Sequence, residues 1–455
     1  MGKKMKRFFK TILTMAVALT LAAGAAETAA AASGPDLEGT GAVVYCETTD
    51  EIIWEKNADK KYNLASITKL MTCLIAAEEL GLDTVVTVDK EATNVKKGES
   101  VVFEGEKITV ENLIYESLLV SANDAAKALA IAVSGSEEEF AKLMNERAAA
   151  IGCTKTKFLT ASGVWTESGH GASARDVALI AAEALNNADI RRIAGTSEYT
   201  VPATNKNTEP RLLESSNLFL KGGEAEWWGQ KFTVEAFEGV FGGKTGTTNK
   251  NKTTMVVGCD FDGLEVYVVT LNSTPEKRYT DIKKLLDYAK ENVQRYDAFK
   301  KGDLFEEGSL LGGATNKVVG MAAEDGIINL PEGASASLIT VTAIYDENLY
   351  APIAKGQVIG KLNIYMADEV VRTLDLVASE DVKEGWFLSK WGITNLQTII
   401  IIGAAVLVIG TIVLIISMRI VNKKRREAER KARLRRMVLK QMEQDLDHRQ
   451  RNWPY

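Results

Sequence analysis

Leu64-Ala65-Ser66-Ile67-Thr68-Lys69-Leu70-Met71-Thr72 is the stretch on which the reading of this chain turns. Apolar residues recur at helical spacing from Ile67 to Leu80 and stop before Gly81, so Ser66 stands where a helix opens. Residues i and i+3 share a face of such a helix, which aims Lys69 at Ser66. A serine hydroxyl is a poor nucleophile at neutral pH and needs a base within hydrogen-bond reach. A lysine serves as that base only while neutral, a state that burial and a second nearby cation both favour. The helix start also offers the Ser66 backbone N–H to a developing oxyanion.

S-x-x-K by itself is a weak signal in 455 residues. Two further segments strengthen it. Ser121-Ala122-Asn123 closes an apolar helical run, and Lys244-Thr245-Gly246 lies in a Gly-Gly-Lys-Thr-Gly stretch that leads into strands. Lys244 is the natural second cation for Lys69. In this order and in these settings the three elements are those of penicillin-binding proteins and class A β-lactamases.

Around these segments the chain alternates in texture. Gly41 to Trp54 reads as a β-hairpin turning at Thr48-Thr49-Asp50. Helical patterning covers Val110 to Val133, Ser136 to Ile151 and Ser173 to Leu185, and strand patterning covers Thr253 to Leu271 before a last helix, Tyr279 to Gln294. Strands at both ends with helices between predict a sheet assembled from both ends of the domain and a helical insertion. From about Ala298 short β-runs (Lys317 to Met321, Ser337 to Ala343, Gln357 to Ile364, Val370 to Val377) alternate with turn residues, which predicts a separate all-β module of the sandwich kind.

The two ends place the molecule. Lys3, Lys4, Lys6, Arg7 and Lys10 precede a short apolar run and an alanine-rich stretch, the pattern of a secretory signal peptide cleaved between Ala25 and Ser33. Leu396 to Met418 carries no charge and is long enough to cross a bilayer. The basic run that follows, from Arg419 through Arg436, marks the cytoplasmic side. The expected organisation is a signal peptide over 1–32, a catalytic domain over 35–296, an all-β domain over 298–388, a transmembrane helix over 396–418 and a basic cytoplasmic tail over 419–455. With both ends basic and a net charge of −6 overall, the exported bulk is acidic, which argues against a nucleic-acid partner. Cys46, Cys73, Cys153 and Cys259 are widely spaced and the only histidines are His170 and His448, so neither zinc chemistry nor a Ser-His-Asp triad is favoured. No metal or other cofactor is expected, and four free thiols are the favoured reading of the cysteines.

Taken together, the motifs resemble the low-molecular-mass penicillin-binding proteins that are D-alanyl-D-alanine carboxypeptidases. Ala65 to Thr72 is similar to that family's nucleophile block, Leu118 to Ala126 to its second block, and Ser173-Ala174-Arg175-Asp176 to the segment after its substrate-side loop. The resemblance runs from about Gly39 to Asn292 and continues more loosely through Ala351 to Gln357. It implies an α/β serine DD-peptidase fold, an antiparallel sheet flanked by helices with a helical region, then the small β-domain and the membrane helix. It implies that Ser66 is acylated, that Lys69 is the base and that Ser121 relays a proton to the leaving group. Asn123 would bond the substrate amide and orient Lys69. Lys244 and Thr245 would bind the terminal carboxylate, which Arg278, leading the similar stretch Arg278 to Leu286, would also meet; Gly246 belongs to the same substrate-binding segment, and the N–H of Thr247 would complete the oxyanion hole. Peptidoglycan stem peptides ending in D-Ala-D-Ala would be substrates and β-lactams inhibitors.

The chain departs from the family's pattern where Thr160-Ala161-Ser162-Gly163 replaces an Asn-Pro, at Thr247, where many members have His, and over Asn186 to Phe241, which matches poorly. Asp124, Arg175 and Asp176 read as packing and salt-bridge residues, and Trp227-Trp228 as a packed or membrane-facing surface. A class A-like β-lactamase would need a glutamate between the second and third motifs, and Thr154 to Gly163 has none. The same three motifs also suit a penicillin-binding sensor that signals through the tail, or a DD-endopeptidase of the same fold.

Overall fold

The computed structural model describes residues 34–96, 100–164, 169–227, 230–249, 252–331 and 333–451. The expected signal peptide, the last four residues of the tail and the side chains of Trp227-Trp228 lie outside what is described. The chain divides into two compact units, Met1–Asp297 with Ile327–Leu338, and Ala298–Gly326 with Ile339–Tyr455. The short segment Ile327–Leu338 thus belongs with the first unit although the chain around it belongs to the second.

The first unit is built on a five-stranded antiparallel sheet of β1 (Gly41–Cys46), β2 (Glu51–Lys56), β3 (Val240–Asn249), β4 (Lys252–Phe261) and β5 (Leu264–Ser273), in the order β2-β1-β5-β4-β3. The first strand pairs with the last, Val44 opposite Val268, so residues more than 200 positions apart close the sheet. Its strands read as almost unbroken apolar runs because both faces are covered. Val43, Tyr45, Val256, Tyr267 and Val269 face one core, and Ala42, Val44, Cys46, Val257 and Val268 face another, the period-2 alternation of a strand.

Behind the first face stand α1 (Lys69–Leu80), α2 (Val110–Leu118), α3 (Asn123–Ser134), α4 (Glu137–Ala150), α5 (Ala174–Asn186) and α6 (Ala188–Ala194). Against the second packs α7 (Lys277–Asn292), through Ile282, Leu285, Leu286 and Ala289. Asp281 ties α7 to the chain start, accepting from the N–H groups of Glu38 and Gly39 at 3.0 and 2.9 Å.

The helical patterning over Val110 to Val133 is carried by two helices, α2 and α3, and the chain turns sharply between them at Leu119–Ala122, with Ser121 at φ +64° where the sequence closes a helical run.

The second unit carries a five-stranded antiparallel sheet of β6 (Leu304–Ser309), β7 (Lys317–Ala322), β8 (Ile339–Tyr345), β9 (Val358–Met366) and β10 (Glu369–Ala378), ordered β6-β7-β10-β9-β8. After it, α8 runs from Asn395 to Arg451. Its first part is long and apolar enough to cross a membrane, and the basic tail continues the same helix. All four cysteines are free thiols.

Candidate active site

Ser66 sits in a short 3₁₀ turn, Ala65–Thr68, that runs directly into α1. The turn begins at Ala65, whose φ of +48° is a left-handed conformation that costs a non-glycine residue on the order of 1–3 kcal/mol. Its neighbours hold it there. Asn63 Oδ1 accepts from the Ala65 N–H at 2.9 Å, and Thr254 Oγ1 donates to the Leu64 carbonyl at 3.1 Å. Two glycines let other segments press against this turn. A Cβ on Gly163 would lie 1.8 Å from the Ala65 carbonyl oxygen, and one on Gly246 would lie 2.8 Å from that of Leu64. The glycine of the K-T-G segment is therefore a condition of close approach.

Lys69 is fully buried and its Nζ donates hydrogen bonds to Ser66 Oγ at 2.9 Å, Asn123 Oδ1 at 2.8 Å and the Ser162 carbonyl at 2.8 Å. Three segments remote in sequence thus meet on one ammonium-sized atom. Asn123 is the first residue of α3, and the break before it, with the Ala122 N–H bonded to the Glu116 carbonyl at 3.0 Å, is what turns Asn123 toward Lys69. Ser66, Asn123, Ser162, Gly163 and Thr247 line a single cavity of about 480 Å³.

The K-T-G segment lies on β3, the edge strand of the sheet. Lys244 pairs in register with Val256 and shares its face, and is 1% exposed. Burial pushes its ammonium down to about 7, Cys73 opposes the shift and the Arg278 guanidinium adds to it. Thr245 Oγ1 is 2.7 Å from Ser216 Oγ, the Ser216 carbonyl accepts from Tyr279 OH at 2.7 Å, and Arg278 Nη2 donates to Tyr279 OH at 3.2 Å. Arg278 is 7% exposed, its Nε has no hydrogen-bond partner, and no carboxylate pairs with it among the described residues. A buried guanidinium without an anion is a costly arrangement unless an anion arrives from outside.

Ser66, Lys69 and Asn123 meet through direct hydrogen bonds and Thr247 lines the same cavity, and several other residues join them that no sequence signal marks. Ser162 contributes a backbone carbonyl, to which no side-chain motif points. Ser216 lies in the poorly matching segment before β3. His170 is 5% exposed and held near 4 by burial and then by Lys61. Its Nδ1 accepts from the Leu159 N–H at 3.1 Å, so Nε2 carries the proton and donates to Thr68 Oγ1 at 2.9 Å. This histidine braces the Ala65–Thr68 turn through Thr68. Asp124 and Asp176 are acceptors for loop N–H groups, Val101 and Val102 for the first and Lys155 for the second, and Arg175 pairs with Glu55 and Asp59.

A buried lysine on a serine hydroxyl, an amide on that lysine and two buried cations nearby define a serine acyl-transfer site on a sheet with helices on both faces. Residues 27–275, more than half of the chain, match the family model for D-alanyl-D-alanine carboxypeptidase, and residues 294–384 match that for the penicillin-binding protein 5 C-terminal domain. The chain belongs to the D-alanyl-D-alanine carboxypeptidase family. It is 29% identical to D-alanyl-D-alanine carboxypeptidase DacF of Bacillus subtilis over 85% of this chain and 97% of that one. It is 28% identical to D-alanyl-D-alanine carboxypeptidase DacC of Escherichia coli, over 78% of this chain and 87% of that one. The solved structure of penicillin binding protein 5 from Haemophilus influenzae superposes with a TM-score of 0.64 at 25% identity, covering 77% of this chain and 99% of that one. The β-sheet that precedes α8 in the second unit and the peptidase fold of the first agree with the sequence expectation.

Proposed function

We propose that this protein is a membrane-anchored serine D-Ala-D-Ala carboxypeptidase that removes the terminal D-alanine from peptidoglycan stem peptides. The observation that carries the reading is the Lys69–Ser66–Asn123 cluster beside the buried cations Lys244 and Arg278. With Lys69 in its neutral form the Ser66 hydroxyl donates to Nζ, and Oγ attacks the penultimate D-alanine carbonyl as Nζ takes its proton. The N–H groups of Ser66 and Thr247 stabilise the oxyanion, and Ser121 passes a proton to the departing D-alanine amine. Water then hydrolyses the ester and restores Ser66. Asn123 holds the substrate amide and keeps Lys69 aimed. Lys244, Thr245 and Arg278 receive the free carboxylate, and Gly246 keeps β3 close to the nucleophile turn. A β-lactam would acylate the same serine. The catalytic part spans residues 35–296 and the β-domain 298–388. Product analysis tests this reading: free D-alanine from a pentapeptide supports it, whereas cleavage confined to cross-linked dimers would make the enzyme an endopeptidase.

Lys244 gives a pH signature. It carries its charge below about pH 7 and loses it above. The preference for a free terminal carboxylate over an amide, as a ratio of kcat/KM values, should therefore fall by up to about tenfold as pH rises through that range. A ratio that stays level across it would show that Lys244 does not meet the carboxylate as a cation.

Residues 396–418 are read as the membrane span, with the catalytic part outside the cell and residues 419–455 in the cytoplasm. Exposed Trp386, Phe387 and Trp391 just before the span suit the membrane–water interface, and the basic run after it suits the inner side. Protease added to intact cells should degrade the acidic bulk and spare the tail. The reverse pattern would invert the topology.

A further inference from the structure

The cavity at Ser66 extends to a pair of charges that the reaction outlined above does not use. Its walls include Asn94, Thr160, Lys127, Glu137 and, exposed at its edge, Lys96, whereas Lys244, Ser216 and Arg278 lie outside its lining. If the departing D-alanine sends its carboxylate toward Lys244 and Arg278, the acyl part of the peptide leaves Ser66 through this cavity. Lys127 is one turn beyond Asn123 on α3, so the two share a face and both look into it. Glu137 stands in the first turn of α4.

The two form a loose ion pair with no direct hydrogen bond between them. Lys127 Nζ is 3.8 Å from Glu137 Oε2, beyond hydrogen-bond reach, and the two side chains are 15% and 19% exposed. The other carboxylate oxygen, Oε1, accepts from the Ala161 N–H at 2.9 Å. That bond fixes Glu137 on the loop whose next carbonyl, Ser162, holds Lys69. Here a cation and an anion stand side by side on a cavity wall, each with bonding capacity toward the cavity.

We propose that Lys127 and Glu137 form a subsite for a substrate side chain that ends in an α-amino-acid head, with an ammonium and a carboxylate on one carbon. The carboxylate meets Lys127 and the ammonium meets Glu137. A side chain ending in an ammonium alone satisfies Glu137 and leaves Lys127 facing a like charge, while a neutral one satisfies neither. Lys127 is thus a specificity residue acting on the acyl side of the scissile bond. The proposal rests on the carboxypeptidase reading, which tells which side that is.

The test uses the full-length protein and two pentapeptides ending in D-Ala-D-Ala, with L-lysine or meso-2,6-diaminopimelate as the residue before them. These differ by a single carboxylate. D-Alanine release should favour the diaminopimelate peptide about tenfold or more in kcat/KM. Lys127→Met should bring the ratio to about one, Lys127→Arg should keep most of it, and Lys127→Glu should turn it toward the lysine peptide. Lys127→Gln reads the same ratio if the methionine variant does not fold. A wild-type ratio near one, or a ratio that Lys127→Met leaves intact, would overturn the subsite while leaving the carboxypeptidase reading in place. No D-alanine from either peptide would overturn both.

Discussion

Ser66→Ala should abolish D-alanine release and covalent labelling by a β-lactam together, because both pass through the same acyl-enzyme. The structure gives the reason for so complete a loss. Lys69 Nζ reaches Ser66 Oγ at 2.9 Å from one turn of the same helix, and the buried Lys69 is aimed by Asn123 and the Ser162 carbonyl. The variant should fold normally, since Ser66 is only half-buried and alanine suits the turn. Labelling that persisted in the variant, at any other serine, would remove Ser66 from the mechanism.

The carboxylate pocket should show the next largest effect. Arg278→Ala should lower kcat/KM on D-Ala-D-Ala peptides about ten- to a hundredfold, the loss of a charge-assisted bond worth roughly 1.5–3 kcal/mol. The buried guanidinium has no carboxylate partner in its surroundings among the described residues, so the deletion removes an interaction with substrate and leaves no orphaned anion behind. A peptide with an amidated terminus should already be poor and should lose little more. Lys244→Ala should be worse than Arg278→Ala, since it removes both a carboxylate contact and a cation buried beside the reacting groups. Equal losses on free-acid and amidated peptides would make Arg278 a packing residue.

How much of this the sequence discloses depends on whether a contact is local. Ser66 and Lys69 are three residues apart across a 3₁₀ turn that runs into α1, so their meeting follows from local helical geometry, and the strand runs at both ends of the domain announce a sheet assembled from both. The partners that complete the site come from far along the chain. Ser162 offers only its carbonyl, across 93 positions, from a loop that in sequence is no more than a departure from the family's pattern. Ser216 stands 29 residues before Thr245 in a segment that matches poorly, and only the folded sheet edge brings their hydroxyls together. The turn at Ser121 is legible only in part: the sequence ends a helical run there, but the left-handed backbone of Ser121 shows only in the folded chain. His170 in sequence shows only what it cannot do, and its bracing of Thr68 exists only once the chain has folded across 102 positions.

The central claim is that D-alanine release runs through Ser66 and nothing else. The most direct measurement titrates the full-length enzyme with a slowly hydrolysed β-lactam, reading occupancy of the Ser66 peptide by mass and D-alanine release from a pentapeptide in the same samples. Activity should fall in proportion to Ser66 occupancy and reach zero at one equivalent per chain. Activity that survives with Ser66 fully acylated would contradict the account.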